Sequence, residues 1–255
     1  MKEGKIRTVF ITGGAAGIGA AAVRKFAAEG WNVVFMDLDQ PRGLALEREV
    51  HGSVFVKGDT RRRSDIEAAI STVRSRFGGL DSVFANAGIH RKNTLLDISD
   101  EELDLVIQTN LYGTVNTLRA AVPEIIAGGG GSVVLMASDQ SFIGKTASFA
   151  YGLTKGAIGQ MTKSLALDLA DKGVQVNAVC PGTVRTPLVE NLFERLSART
   201  GKPVEEYFAE EGALFPAGRV GYPEEVAELV YFLASGKAPF ITGALMPIDG
   251  GLTAQ

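Results

Sequence analysis

The sequence predicts an α/β protein built on a parallel sheet, and three features carry that reading. Short apolar runs alternate along the chain with longer segments of helical pattern. A glycine-rich turn directly follows the first of these runs. Polar residues with useful chemistry then follow one apolar run after another, which in a parallel sheet gathers them on one edge.

Taken in order, a strand is expected over 8–11, a helix over 20–28, a strand over 33–36 and a helix over 41–50. The same rhythm gives a strand at 54–56, a helix from about 64 to 77 and a strand at 82–85. Ser99 and Glu102 have capping-box spacing, so a long helix is expected from about Asp100 to Ile126. Gly128 to Gly131 break the chain before an apolar strand over 132–136. A helix over about 149–170 leads to a strand at 174–179; Pro223 opens another helix, and 245–248 is the last strand. The region from Thr186 to Phe215 reads as variable. With no repeat and no linker-like stretch, residues 1–255 are expected to form one domain carrying a substrate-loop insertion at about 186–215.

Composition narrows the function classes. The 255 residues are 45% apolar and 22% charged, enough to bury a substantial core, and 31 glycines suit buried strands joined by tight turns. A formal charge of −3 and a pI near 5.6 argue against a nucleic-acid partner, whose binders carry a basic face. The Arg61-Arg62-Arg63 run reads as a solvated helix end rather than a binding patch. Cys180 has no cysteine to pair with, and His51 and His90 fit no metal-ligand spacing, so no metal is expected. Residues 1–12 lack signal-peptide features, and no stretch approaches the ~20 apolar residues of a membrane span. A cytoplasmic protein without a membrane partner is expected.

The first turn reads Thr12-Gly13-Gly14-Ala15-Ala16-Gly17-Ile18-Gly19 and opens an alanine-rich helix. Glycines let backbone approach a pyrophosphate, and a helix N-terminus offers unpaired N–H groups and a positive dipole end. Asp37 ends the second strand, where a carboxylate can accept hydrogen bonds from a ribose and repel a 2′-phosphate; the other reading is a solvated strand end. With no Arg or Lys at Gly14, Ala15, Ala16 or Leu38, NAD is expected over NADP.

Tyr151 and Lys155 lie four residues apart in a helical stretch, which puts a phenol beside an ammonium. A phenol titrates near pH ~10, so work as a base near neutrality needs a drop of about 2 to 3 units, or about 3 to 4 kcal/mol. One ammonium at about 4 Å supplies about 4 kcal/mol at an effective dielectric of ~20. Lys155 alone is therefore expected to be nearly sufficient.

Together, Thr12-Gly13-x-x-x-Gly17-x-Gly19, Asn86-Ala87-Gly88, Asn110, Ser138, Tyr151-x-x-x-Lys155 and Pro181-Gly182-x-Val184-x-Thr186 resemble the classical short-chain dehydrogenase/reductase family over nearly the whole chain. The resemblance implies a single Rossmann-type, doubly wound α/β domain: an open seven-stranded parallel sheet flanked by helices on both faces, assembled as a homotetramer. It also implies that Asp59 and the Thr60 backbone contact adenine, that Asn86 and Gly88 line the adenosine ribose, and that Val184 N–H and Thr186 hold the carboxamide. Gly13, Gly17, Ile18, Gly19, Asp37, Tyr151, Lys155, Pro181 and Gly182 complete the implied cofactor set. Tyr151 is implied as acid/base, Ser138 as the orienter of the substrate oxygen, Lys155 as the partner of the nicotinamide ribose, and Asn110 as the support of a water chain. An exposed helical asparagine is the plain alternative for Asn110.

Polar residues follow two of the expected pocket edges: His90, Arg91 and Lys92 on one, Asp139, Gln140 and Ser141 on the other. A long acyl chain would leave such groups unpaired, so a small polar secondary alcohol is expected: a sugar, polyol, cyclic diol or hydroxy acid. His90, Ser138, Gln140 and Tyr151 are its candidate contacts, unless 90–92 simply face water. The rivals are a 3-oxoacyl carrier-protein reductase and a non-catalytic NAD-binding protein. Against the first stand Asp37 and the lack of basic residues from Pro123 to Gly131. Cys180, beside the implied cofactor, is read as a small buried hydrophobe rather than a redox group.

Overall fold

A computed structural model describes residues 6–254. Seven strands form one sheet: β1 (Thr8–Thr12), β2 (Asn32–Asp37), β3 (Ser53–Lys57), β4 (Ser82–Ala85), β5 (Gly131–Met136), β6 (Val174–Pro181) and β7 (Leu245–Ile248). All neighbours pair in parallel, in the order β3-β2-β1-β4-β5-β6-β7. Strand order therefore reverses between β1 and β4, which opens a crevice at their carboxyl ends. Nine helices accompany the described strands: α1 (Gly17–Ala28), α2 (Gln40–Glu49), α3 (Arg63–Phe77), α4 (Asp100–Ile107), α5 (Gly113–Ala127), α6 (Phe149–Leu169), α7 (Pro187–Thr200), α8 (Val204–Gly212) and α9 (Pro223–Ala234).

The five inner strands are buried on both faces, the edge strands β3 and β7 only in part, and successive residues feed opposite layers. On β1, Val9 and Ile11 join the core under α1 and α9, whereas Phe10 joins the core under α3, α5 and α6. In the first layer Phe26 meets Trp31 and Tyr231 edge to face, with ring centroids 5.1 and 5.4 Å apart. Cys180 is fully buried in the second layer, and burial pushes its thiol up to about 12, so it stays protonated and unreactive.

Strand positions match the expected ones, but three local expectations need correction. The long helix is interrupted by a π-helical turn at Gln108–Tyr112, which inserts a residue and turns Asn110 inward. Only half of the capping box forms: Ser99 accepts from the Glu102 N–H at 3.2 Å, while the Glu102 carboxylate faces Arg91 Nε at 3.8 Å. The region 186–215 contains α7 and α8, which enclose a small core of Phe193, Phe208, Phe215 and Val220. In the basic run, Arg61 pairs with Asp59, Arg63 pairs with Glu67, and Arg62 stays exposed.

Phe26→Ala should lower the unfolding free energy by about 3–5 kcal/mol, since it empties a fully buried aromatic site. Leu96→Ala, at a side chain 95% exposed, should change it by less than about 0.5 kcal/mol. Urea denaturation of the two variants checks the contrast.

Candidate active site

The site begins where β1 and β4 part. The Thr12 hydroxyl accepts the N–H groups of Asn86 (3.1 Å) and Ala87 (3.2 Å). In return, Asn86 Nδ2 donates to the carbonyls of Thr12 and Gly13, both at 2.9 Å. Gly13 and Gly17 sit at φ +65° and +52°, a region that disfavours side chains. A Cβ on Gly19 would lie 2.0 Å from the Gly13 carbonyl oxygen, so α1 packs directly under the turn. The α1 N-cap, Ala16, makes no side-chain capping bond, which leaves the first N–H groups of the helix facing the turn. A backbone-lined cradle with a positive dipole end suits a diphosphate, and Thr186 closes it, 3.2 Å from where a Gly17 Cβ would stand. Ile18, half-buried, packs on the α1 layer.

At the end of β2, Asp37 accepts from the N–H groups of Ala15 and Asp39, each at 3.0 Å. It is thus a structural partner of the glycine turn, not merely a solvated strand end. Two nearby cations are engaged elsewhere, Arg42 with Asp39 at 3.6 Å and Arg61 with Asp59 at 2.6 Å. Asp59 and Thr60 are buried beyond β3. The Arg61 guanidinium holds the Asp59 carboxyl below the usual range. The Thr60 carbonyl accepts from Asn116 at 3.1 Å.

Asn110 is fully buried, which excludes the exposed helical reading. Its Oδ1 accepts from Ile89 N–H at 2.8 Å, and its Nδ2 donates to the Ile89 carbonyl (2.9 Å) and Thr154 Oγ1 (3.1 Å). The amide thereby pairs with the chain after β4 as a strand neighbour would, and ties it to α6. Gly88 leaves room for this, since a Cβ there would stand 3.2 Å from Asn110 Oδ1.

Ser138 follows β5, buried, and its hydroxyl faces Tyr151, which projects from the first turn of α6, and favours the phenolate. Its Oγ also donates to Asp139 Oδ1 at 2.8 Å and accepts from Gln140 N–H at 3.2 Å. One turn along α6, Lys155 is buried, donates to the Met136 carbonyl at 2.6 Å, and keeps its Nζ 5.4 Å from the Tyr151 ring centre. The expectation that Lys155 alone acidifies the phenol is corrected here. Burial pushes Tyr151 up to about 12, the Ser138 bond opposes this, and the Asp139 charge adds to it. Burial also pulls Lys155 down to about 8, so the ammonium is itself costly to keep charged.

His90 stands edge-on to Tyr151, ring centroids 4.7 Å apart, with Nε2 3.2 Å from Ser148 Oγ. Burial first, then Lys92, Lys145 and Arg91, lower its pKa, so the imidazole is neutral at pH 7. Arg91 and Lys92 are exposed, as the solvent reading expects for those two. Gln140 lies against Gly152, its buried Oε1 without a hydrogen-bond partner among the described residues. Sequence reasoning missed Lys145, whose Nζ lies 2.6 Å from Asp139 Oδ2. The sequence held no clear signal, because an aspartate needs a cation only where it is buried, and its depth shows only in the fold.

Pro181, the last residue of β6, is buried, and Gly182 approaches Asp249, whose Cα would lie 3.2 Å from a Gly182 Cβ. Thr183 and Arg185 bond to Gly221 in a parallel bridge, so the intervening Val184 N–H points to the opposite edge. Among the described residues, no group of three or more potential ligands could hold a metal, and no helix is long and apolar enough to cross a membrane.

A family model described as Enoyl-(Acyl carrier protein) reductase matches residues 13–253. The chain is 40% identical over 247 residues to the L-fucose dehydrogenase of Mus musculus, covering 96% of this chain and 88% of that protein. It is 36% identical to the 3-oxoacyl-[acyl-carrier-protein] reductase FabG of Thermotoga maritima, over 98% of both chains. The solved structure of Thermoplasma acidophilum aldohexose dehydrogenase superposes with a TM-score of 0.90 at 32% identity, covering 98% of this chain and 95% of that one.

Lys155 makes stability pH-dependent. Its pKa falls from 10.5 unfolded to about 8 folded, so between these values the unfolded chain binds more protons and stability rises with pH. The slope should approach about 1.4 kcal/mol per pH unit between pH ~8 and ~10. Above this window the raised Tyr151 pKa acts in the opposite sense. Denaturant melts of wild type and Lys155→Met should show the rise in the first and its loss in the second.

Proposed function

Since the chain belongs to the short-chain dehydrogenase/reductase family and is an oxidoreductase acting on CH–OH groups, we propose that it is an NAD-dependent dehydrogenase of small polar secondary alcohols, with sugars foremost. One observation carries the substrate class: the wall beside Tyr151 is polar, built from neutral His90, the Asp139–Lys145 pair and the unpaired Gln140 oxygen. Hydroxyl groups satisfy such a wall, whereas an acyl chain leaves it unpaired. The names of the L-fucose and aldohexose dehydrogenases point the same way. Those of the family model and of FabG point to acyl substrates, against which stand the polar wall and the absence of basic residues in 123–131.

The cradle of Gly13, Gly17, Ile18 and Gly19 holds the diphosphate, and Asp37 accepts from the adenosine ribose. Its charge disfavours a 2′-phosphate, which supports NAD. Asp59 and Thr60 take the adenine, Asn86 and Gly88 flank its ribose, Lys155 binds the second ribose, and Pro181, Gly182, Val184 N–H and Thr186 hold the carboxamide. When bound, NAD supplies a hydride acceptor and a positive charge near Tyr151. Tyr151 takes the proton of the substrate hydroxyl, while Ser138 orients that oxygen. A phenol raised to about 12 by burial becomes a base only through added positive charge, which the bound nicotinamide would supply beside Lys155. Asn110 fixes the backbone through which a water chain links Lys155 to solvent. The insertion at 186–215 covers the substrate. The functional unit is a homotetramer in the cytoplasm; Leu153 and Leu167, 52% and 81% exposed on α6, are apolar surface suited to burial between copies.

Following NADH formation across aldoses, cyclic diols, hydroxy acids and aliphatic alcohols, with NAD and NADP in parallel, tests the reading. Turnover of aldoses or diols with NAD is expected; turnover confined to aliphatic alcohols sinks it. Tyr151→Phe should lose nearly all turnover yet retain NADH binding by fluorescence, and a variant keeping half its activity would refute the role of Tyr151.

A further inference from the structure

The groups facing Tyr151 come from several elements: His90 from the loop after β4, Asp139 and Lys145 from the segment after β5, and Lys155 from α6. Cys180 on β6 lies behind them as a neutral thiol, and Asp249 after β7 acts on Cys180. Asp139 is the anomaly in this set. Its residue is 2% exposed, and a buried carboxylate keeps its charge only when partnered. One oxygen accepts the Ser138 hydroxyl at 2.8 Å and the other meets Lys145 Nζ at 2.6 Å. Lys145 is 30% exposed and lies 5.9 Å from the Phe215 ring centre.

Two consequences follow from this chain of contacts. Because Ser138 gives its proton to Asp139, its lone pairs are left for Tyr151 and for a substrate hydroxyl. Because the carboxylate is buried beside Ser138, its charge reaches the Tyr151 oxygen with little screening and opposes the phenolate. Lys145 answers both, since it fixes the second carboxylate oxygen and offsets the charge.

We propose that Lys145 is a positioning residue for the reaction at Tyr151: through its ion pair with buried Asp139 it holds that carboxylate against the Ser138 hydroxyl and offsets part of the negative charge facing the phenol. The proposal rests on alcohol oxidation at Tyr151 and adds a residue that need not touch the substrate.

The test compares Lys145→Met, Lys145→Arg and the double variant Asp139→Asn/Lys145→Met with wild type. In Lys145→Met the rising limb of the kcat–pH profile should move up by about one unit and kcat at pH ~7 should fall about tenfold, with KM for the alcohol within roughly twofold. Lys145→Arg should keep the wild-type limb, and the double variant should return it towards wild type because the offending charge is gone. A limb unmoved in Lys145→Met overturns the proposal, as does a double variant no better than the single one. A rise in KM with an unmoved limb also overturns it, because Lys145 would then be a substrate contact.

The imidazole protons of His90, assigned by NMR through His51→Gln, give a readout that needs no substrate. The His90 pKa should rise in Lys145→Met, which loses a neighbouring cation; no movement overturns the proposal. A wild type that turns over no alcohol defeats the proposed function, and the His90 titration still decides the role of Lys145.

Discussion

The seam between β1 and β4 governs everything else in the site. A doubly wound sheet must open where its strand order reverses, and the ends of the two parting strands would drift without a tie. Thr12 and Asn86 supply it with four hydrogen bonds, two into a side-chain hydroxyl and two from a side-chain amide. The tie fixes the glycine turn on one side and the 86–90 segment on the other, and Asn110 extends it to α6. The glycine turn proposed to hold a dinucleotide and the phenol proposed to transfer the proton therefore share one frame.

Within that frame, burial and the Asp139 charge both hold the Tyr151 proton, the Ser138 hydroxyl opposes them, and on the protein groups alone burial prevails. Such a balance leaves the phenol protonated until positive charge is added. Burial moves all three central groups away from their charged forms, Tyr151 upwards and Lys155 and His90 downwards, so the site disfavours charge of its own. Lys155 illustrates the compromise, since its burial brings it near the ring but lowers its own hold on a proton.

Much of this was legible in the sequence. Strands buried on both faces read as unbroken apolar runs, so all seven were placed, and the residues after them fell on one edge as a parallel sheet requires. What escaped has physical reasons. A π-helical turn shifts the helical phase by one residue, and a period of 3.6 cannot reveal it, which hid the inward turn of Asn110. The direction of the Tyr151 shift escaped because four-residue spacing gives proximity to Lys155 but not the extent of burial. Lys145 escaped because its partner, Asp139, shows its need for a cation only once its depth is known. The helices of the 186–215 region were in reach: Pro187 suits a first turn, and Leu192, Phe193 and Leu196 recur at helical spacing.

The division of labour between frame and insertion has a structural basis. α7 and α8 are joined by Arg185, which pairs with Glu190 and Glu205 and lies 4.2 Å over the Phe208 ring, while Phe193 and Phe208 pack edge to face at 4.8 Å. These contacts are internal to the segment. It meets the rest of the molecule at Thr186 against Gly17, through Glu211 accepting from Thr183 at 2.6 Å, and at Phe215 over Gly182 and near Lys145. A segment with its own core can change its inner surface beyond these points without disturbing the seam. On the proposed reading, substrate choice is set on this segment, while the groups proposed for the dinucleotide and for proton transfer stay where the sheet puts them.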